Sequence, residues 1–518
     1  MMMKRFLFYI LMMCVAVFSC KEPFPTGTQV DAIPSIDPDY QGLIIPANIA
    51  PLNFRILEPG EAYAVRLSGD AGEPIEIITS ENLIQFPLDH WHALLRQNER
   101  HAIRMKLLVR NKEGIWKEFR TLENTVSPDA IDPVLVYRFL KPAHNFWGTM
   151  GLYQRDITSF ESTPILENES INKACINCHA FNQNQPLPMM FHARGKVGSS
   201  LILVRSDSIQ KINTKTAFNP SPAAYRSWHP NGKLLAFSNN KLVQIFHAAG
   251  ETREVSDLAS NLMLYHIEDN RISTFPAIAS PERMETFPRW SPDGRYLYFC
   301  SAPRVESYIT KDKKDIGRIY DEIQYDLMRI AYDAETEAWG QVESVLESSV
   351  VGKSLIMSCV SPDGRFMVFT GAHHGSFPIF VKDSDLYLMD MESGAYRELE
   401  INSEETESYH SWSGNSRWLV FSSKRRDGLC ARPYFTHIDS SGQVSKAFIL
   451  PQEDPACYDL MEETFNLPEL VGGMVQVNGD ALSTAVLGEA VPAVLDSNVR
   501  VDAQTGASEN AMWQQVPQ

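Results

Sequence analysis

The run Ala174-Cys175-Ile176-Asn177-Cys178-His179-Ala180 holds the clearest chemistry in the chain. Two thiols separated by two residues, with an imidazole directly after, form the C-x-x-C-H pattern of covalent haem attachment. Each thiol reaches one vinyl group on the same porphyrin edge, and the next residue brings its ring under the iron as proximal ligand. A redox dithiol would be expected beside a strand–helix–strand pattern, and none surrounds this run. A zinc site would want a second Cys/His pair close by. His192 is isolated, and no other cysteine lies within 100 residues on either side. The expected cofactor is therefore one haem c, bonded to Cys175 and Cys178 with His179 as the proximal axial ligand. Met189 is the candidate distal ligand. It lies ten residues beyond His179, and ten extended residues reach up to roughly 33–36 Å, enough to round the porphyrin edge. Met190 and His192 are its rivals, and core filling is the alternative role for both methionines.

Such a site is completed outside the cytoplasm, and the N-terminus agrees. Lys4 and Arg5 precede the apolar run Phe6 to Phe18, too short for a comfortable membrane span, which reads as a signal peptide over residues 1–19. It ends at Val17-Phe18-Ser19-Cys20, a loose lipobox that makes Cys20 the expected lipidation site. The six prolines of residues 20–51 suggest an extended, lipid-anchored linker. Four cysteines remain for the body. Cys430 and Cys457 are the likeliest disulfide in an oxidising compartment, whereas Cys300 and Cys359 sit in apolar strand patterns and read as buried hydrophobes. A net charge of −17 argues against nucleic acid as a partner.

The elements that must position the site are strands. Residues 52–126 alternate apolar and polar positions, as in Tyr63, Val65 and Leu67 or Ile103, Met105 and Leu107, with a short helix capped by Asp89. They are expected to form a β-sandwich of immunoglobulin or fibronectin type. Residues 127–188, rich in proline and aromatics without a period, read as an irregular connector that carries the haem motif. From residue 189 to 471 a repeat takes over. Trp290-Ser291-Pro292-Asp293-Gly294-Arg295 and Val360-Ser361-Pro362-Asp363-Gly364-Arg365 each lead into an apolar strand, and Trp228 and Trp412 open looser copies. Ser-Pro-Asp-Gly suits a type I turn. Turn-anchored strands at intervals of 62, 70 and 52 residues mark a β-propeller with insertions. At least five blades are expected, and six if N- and C-terminal strands share a closing blade. The tail, 472–518, is expected to be partly disordered.

With these repeats, the chain resembles the TolB-like, WD-type propeller proteins of the bacterial envelope. Together with CINCHAFNQ, MMFHARG (189–195) and FNLPEL (465–470), it resembles a group of TolB-like lipoproteins bearing a single c-type haem. The likeness covers roughly residues 40–470 and implies a secreted, all-β chain with a haem site. It implies no established reaction, and TolB itself carries no haem. The location it suggests is the periplasm-facing outer membrane, with surface exposure as the variant.

No G-x-S-x-G, H-E-x-x-H, P-loop or G-x-G-x-x-G is present, and no catalytic set is expected. His373-His374 and Lys424-Arg425-Arg426 read as solvated loops before they read as a metal site or a docking patch. Three functions remain open. The haem relays electrons to a partner docked on the propeller; or the propeller is an envelope scaffold with structural haem; or the chain is a haem enzyme with a further cofactor in the channel.

Overall fold

The computed structural model describes residues 23–141, 148–246, 253–304 and 319–500. The signal peptide, Cys20 and residues 501–518 of the tail lie outside the described residues. The described chain is nearly all β, and six small antiparallel sheets follow one another in a propeller-like ring.

The repeated turns explain why the strands recur. Gly294 N–H donates to the Ser291 carbonyl at 2.9 Å, and Ser291 Oγ accepts from Tyr296 N–H at 3.0 Å while donating to Asp293 at 2.6 Å. Ser361, Asp363 and Phe366 repeat the pattern. Glycine closes each turn because the exit is left-handed, at φ 74° for Gly294 and 76° for Gly364. Each turn joins an inner strand to the next strand outward, as from Arg283–Trp290 to Tyr296–Pro303 and from Ser354–Val360 to Phe366–Ala372. The inner strands of successive sheets pack on each other around a closed circle.

The circle is closed by two segments far apart in the chain. Residues 127–188, expected as an irregular connector, instead supply strands Val134–Leu140, Met150–Asp156 and Ser162–Glu167. Their inner partner is Thr464–Val471, paired antiparallel with Val134–Leu140. Sharing a sheet between distant segments ties the ring shut and leaves no open edge there. The C-x-x-C-H run is no linker either, because Cys175–Phe181 is the inner strand of the second sheet.

The N-terminal region departs from a free tether. Tyr40, Leu43, Ile45 and Ile49 are buried, and Ile44–Pro46 pairs in parallel with Thr125–Ser127 in a seven-stranded sheet. A three-stranded sheet joins Ile36–Asp37, Phe54–Ile56 and Leu83–Ile84. The helix Leu88–Gln97 starts after Pro87 with no side-chain cap, so Asp89 stands in its first turn and is not the cap. One apolar core runs from this region into the last two sheets, through Trp91, Phe366 and Trp418. Arg426 bonds Asp37 and Asp459, both at 2.8 Å, and Arg425 meets the buried Glu407 at 2.9 Å. The expected solvated basic loop is thus a bolt between regions.

The tail is ordered to residue 500: helix Gly479–Leu487 packs on the second sheet, and Val491–Pro492 and Val494–Leu495 extend the second and third sheets. None of the six described cysteines forms a disulfide. Cys430 directs its sulfur to the Glu462 carbonyl at 3.6 Å, which leaves the expected bond to Cys457 unmade. No helix among the described residues is long and apolar enough to cross a membrane.

Candidate functional site

Each inner strand breaks its ladder once. The register slips beside Cys178, Tyr225, Phe287, Met357, Tyr409 and Leu467. These six residues have φ between 33° and 56°, the left-handed region that side chains other than glycine seldom occupy. All six line one cavity of about 1210 Å³. A bulge inserts one residue and resets which side chains face which way. That decides the thiols. In a regular strand, residues three apart face opposite sides. Here Cys175, Asn177 and Cys178 all line the cavity and Ile176 does not, while Cys175 also packs with Ile176 in an apolar cluster. The cavity exceeds the roughly 300–1,000 Å³ usual for small-molecule sites, so a tetrapyrrole has room.

His179 follows the bulge and turns away from the cavity wall. It is 1 % exposed and its ring meets Phe181 edge-on. Its Nε2 has no hydrogen-bond partner and lies 3.8 Å from Glu469 Oε2. Burial, then the charges of Arg226 and Arg138, hold the imidazole well below its usual range, so it is neutral at pH 7. The nearby Leu467 backbone acts the other way, to raise its pKa. A neutral ring with a nitrogen left without a hydrogen-bond partner is a form that can ligate a metal.

The distal candidates stand elsewhere. Met189, Met190 and His192 occupy the second strand of the sheet, Met189–Arg194, all almost fully buried. Met189 packs with Phe191 and Val204, Met190 with Leu203 and Trp228, and neither lines the cavity. Both ring nitrogens of His192 lack partners, and burial also holds it well below its usual range. The structure therefore brings Cys175 and Cys178 together on the cavity, sets His179 behind them, and keeps the three distal candidates in the sheet interior. Met357 is the thioether at the level of Cys178, carried by the inner strand three sheets further on.

Sequence reasoning also missed Tyr225, Tyr409 and His410 as cavity residues. His410 occupies the slot of His179, one residue past its bulge. It bonds the Val368 carbonyl through Nε2 at 3.0 Å, and burial pushes its pKa down to about 3. The signal was there: Phe181, Trp228, Trp290, Val360, Trp412 and Leu470 all stand three residues after a bulge. CINCHAF is one more copy of the repeated inner strand.

No protein-family model matches the chain, and no curated protein matches it. Among solved structures it is similar to one described as a nidogen/laminin complex, at 7 % identity over 66 % of this chain and 100 % of that one, with a TM-score of 0.37. The Dos1 propeller matches at 13 % identity over 55 % of this chain and 67 % of its own, with a TM-score of 0.31. A luciferin-regenerating enzyme gives 10 %, 62 %, 91 % and 0.34 in the same order. At these values the likenesses assign neither a family nor an activity.

Proposed function

We propose that the chain is an envelope-anchored c-type cytochrome: a TolB-like lipoprotein with an N-terminal β-sandwich and a six-bladed propeller, relaying electrons to a docked partner. The observation that supports this reading is that Cys175 and Cys178, on either side of the strand's register slip, both line one large cavity. Cys175 and Cys178 would hold the haem, and the free Nε2 of His179 suits the proximal position after a small turn of its ring. The group would supply a one-electron iron centre. Around it the chain's own residues hold His179 neutral, through burial and the charges of Arg226 and Arg138. Met357, which lines the cavity as Met150 and Met461 also do, replaces Met189 as the favoured distal ligand. Leu429 and Leu460, exposed beside the cavity residues Gly428 and Met461, offer a partner an apolar seat at the mouth. Lipid on Cys20 would fix the protein to the outer membrane, facing the periplasm.

The test is a redox titration of the full chain matured in a c-type haem-attaching host. A single reversible one-electron wave, with covalent haem, is expected. A second reading, a haem enzyme, is favoured by Tyr225, Tyr409 and His410 on the cavity wall. Substrate turnover that Tyr409→Phe abolishes while the wave stays unchanged would establish that reading in place of the carrier.

A further inference from the structure

The cavity has the opposite charge balance to the chain that encloses it. The sequence holds 64 acidic and 47 basic residues, yet nine lysines and arginines line the cavity against five acids. Most of those acids are answered: Glu462 meets Lys141 at 3.1 Å, Glu405 meets Lys382 at 2.8 Å, and Asp459 meets Arg426 at 2.8 Å. The cations deeper in are not. Among the described residues, Arg138, Arg226 and Arg289 form no ion pair; Arg138 donates through Nη1 to Asn177 Oδ1, while its Nε and that of Arg226 have no hydrogen-bond partner.

These three guanidiniums come from three sheets. Arg138 lies on Val134–Leu140, Arg226 one residue past the third sheet's bulge, and Arg289 two past the fourth's. They are close enough to disfavour one another's charge: burial, then Arg289 and Arg138, act to lower the pKa of Arg226, against Cys178 and Glu469. Glu469, two residues past the first sheet's bulge, is a buried carboxylate whose pKa both Arg226 and Arg289 act to lower, against the burial that raises it. Three partly buried cations against one anion leave an excess of two positive charges on the cavity wall. Buried charge is costly unless it is paired and hydrogen-bonded. Guanidinium forks match carboxylates two bonds at a time.

We propose that Arg138, Arg226 and Arg289, balanced by Glu469, form a binding site for a dianion, two carboxylates on one ligand, in the cavity. Two sources supply that chemistry. One is the pair of propionates of a haem held at Cys175 and Cys178, which rests on the function proposed above. The other is a free dicarboxylate, which does not.

The experiment uses the full chain in two forms, haem-loaded wild type and the Cys175→Ala/Cys178→Ala variant, each titrated calorimetrically with succinate. The variant without thiols is expected to bind succinate saturably, and Arg226→Gln and Arg289→Gln each to weaken that binding tenfold or more. Arg226→Lys keeps the charge but loses the fork, and is expected to give a smaller loss. Without ligand, Arg226→Gln should melt no lower than its parent, since it removes an unpaired buried charge; a merely structural arginine would lower the melting temperature. Wild type that refuses succinate identifies propionates as the occupant, and wild type that binds it equally identifies a free dicarboxylate. Absence of saturable binding in both forms overturns the proposal, as does binding that neither glutamine variant changes. Free haem in the denatured wild type would overturn the haem reading alone, because the succinate titration is read on the chain without thiols.

Discussion

Two inner strands, Cys175–Phe181 and Glu407–Trp412, share one backbone and part in their chemistry. Both bulge at the residue before a histidine, at Cys178 with φ 51° and at Tyr409 with φ 45°. Both bury that histidine, and burial lowers the pKa of both. His410 is tied to the Val368 carbonyl through Nε2, the atom that His179 leaves free. A buried imidazole in this slot is therefore a habit of the fold. What is special to the second sheet is the pair of thiols, so the chemistry is assigned by Cys175 and Cys178 first and by His179 second.

The comparison breaks most sharply at the thiols. Cys175→Ala/Cys178→Ala should abolish covalent haem, whereas His410→Ala should leave it at the wild-type amount, both read as haem absorbance on the denatured polypeptide. The histidines come next. His179→Ala should change the coordination spectrum of the iron. His410→Ala should leave that spectrum intact and cost about 2–4 kcal/mol in urea unfolding, from a cavity and a lost buried hydrogen bond. If both variants alter the spectrum alike, the two slots are not distinct.

The methionines sharpen the same contrast. Met357→Ala should remove the near-infrared thioether–iron band and lower the potential, since a thioether ligand raises it. Met189→Ala should keep the band and lose about 2–5 kcal/mol of stability as a core truncation. The reverse pattern would return the distal role to Met189.

The smallest effect is in pH. His410 is neutral when folded, its pKa pushed down to about 3, and an unfolded histidine titrates near 6.5. Its contribution is whole above about 6.5. It is lost as pH falls toward 3, because the unfolded chain takes a proton that the folded one refuses, at up to about 1.4 kcal/mol per pH unit. Glu285 has the opposite sign: burial pushes its pKa up to about 8, so its contribution is lost as pH rises from about 4.5. Unfolding midpoints between pH 4 and 7 should fall less steeply on the acid side in His410→Gln, and an unchanged slope would remove His410 from the account.

The repeats were legible because their turns need particular residues: Ser, Pro, Asp and Gly each do something the turn requires, and Trp290 or Trp412 marks the strand before it. The bulges were not. Their residues are Cys, Tyr, Phe, Met, Tyr and Leu, with no glycine to betray a left-handed backbone, so neither the cavity nor the shared facing of Cys175 and Cys178 could be read. The first sheet was hidden for another reason. Val134–Leu140 takes its inner partner from Thr464–Val471, over 300 residues away, and no local pattern reports such a pairing. Residues 20–51 misled through their prolines, since Pro46 ends a paired strand and Pro51 adjoins the buried Leu52. Met189 misled through reach alone, because chain length says what a residue could touch and not which side of a sheet it faces.

The most direct test of the central claim is acidified-acetone extraction of the full chain after maturation in a haem-attaching host. The account predicts that haem stays with the precipitated polypeptide in the wild type and with none in Cys175→Ala/Cys178→Ala. Haem that leaves freely into the solvent from the wild type would contradict it.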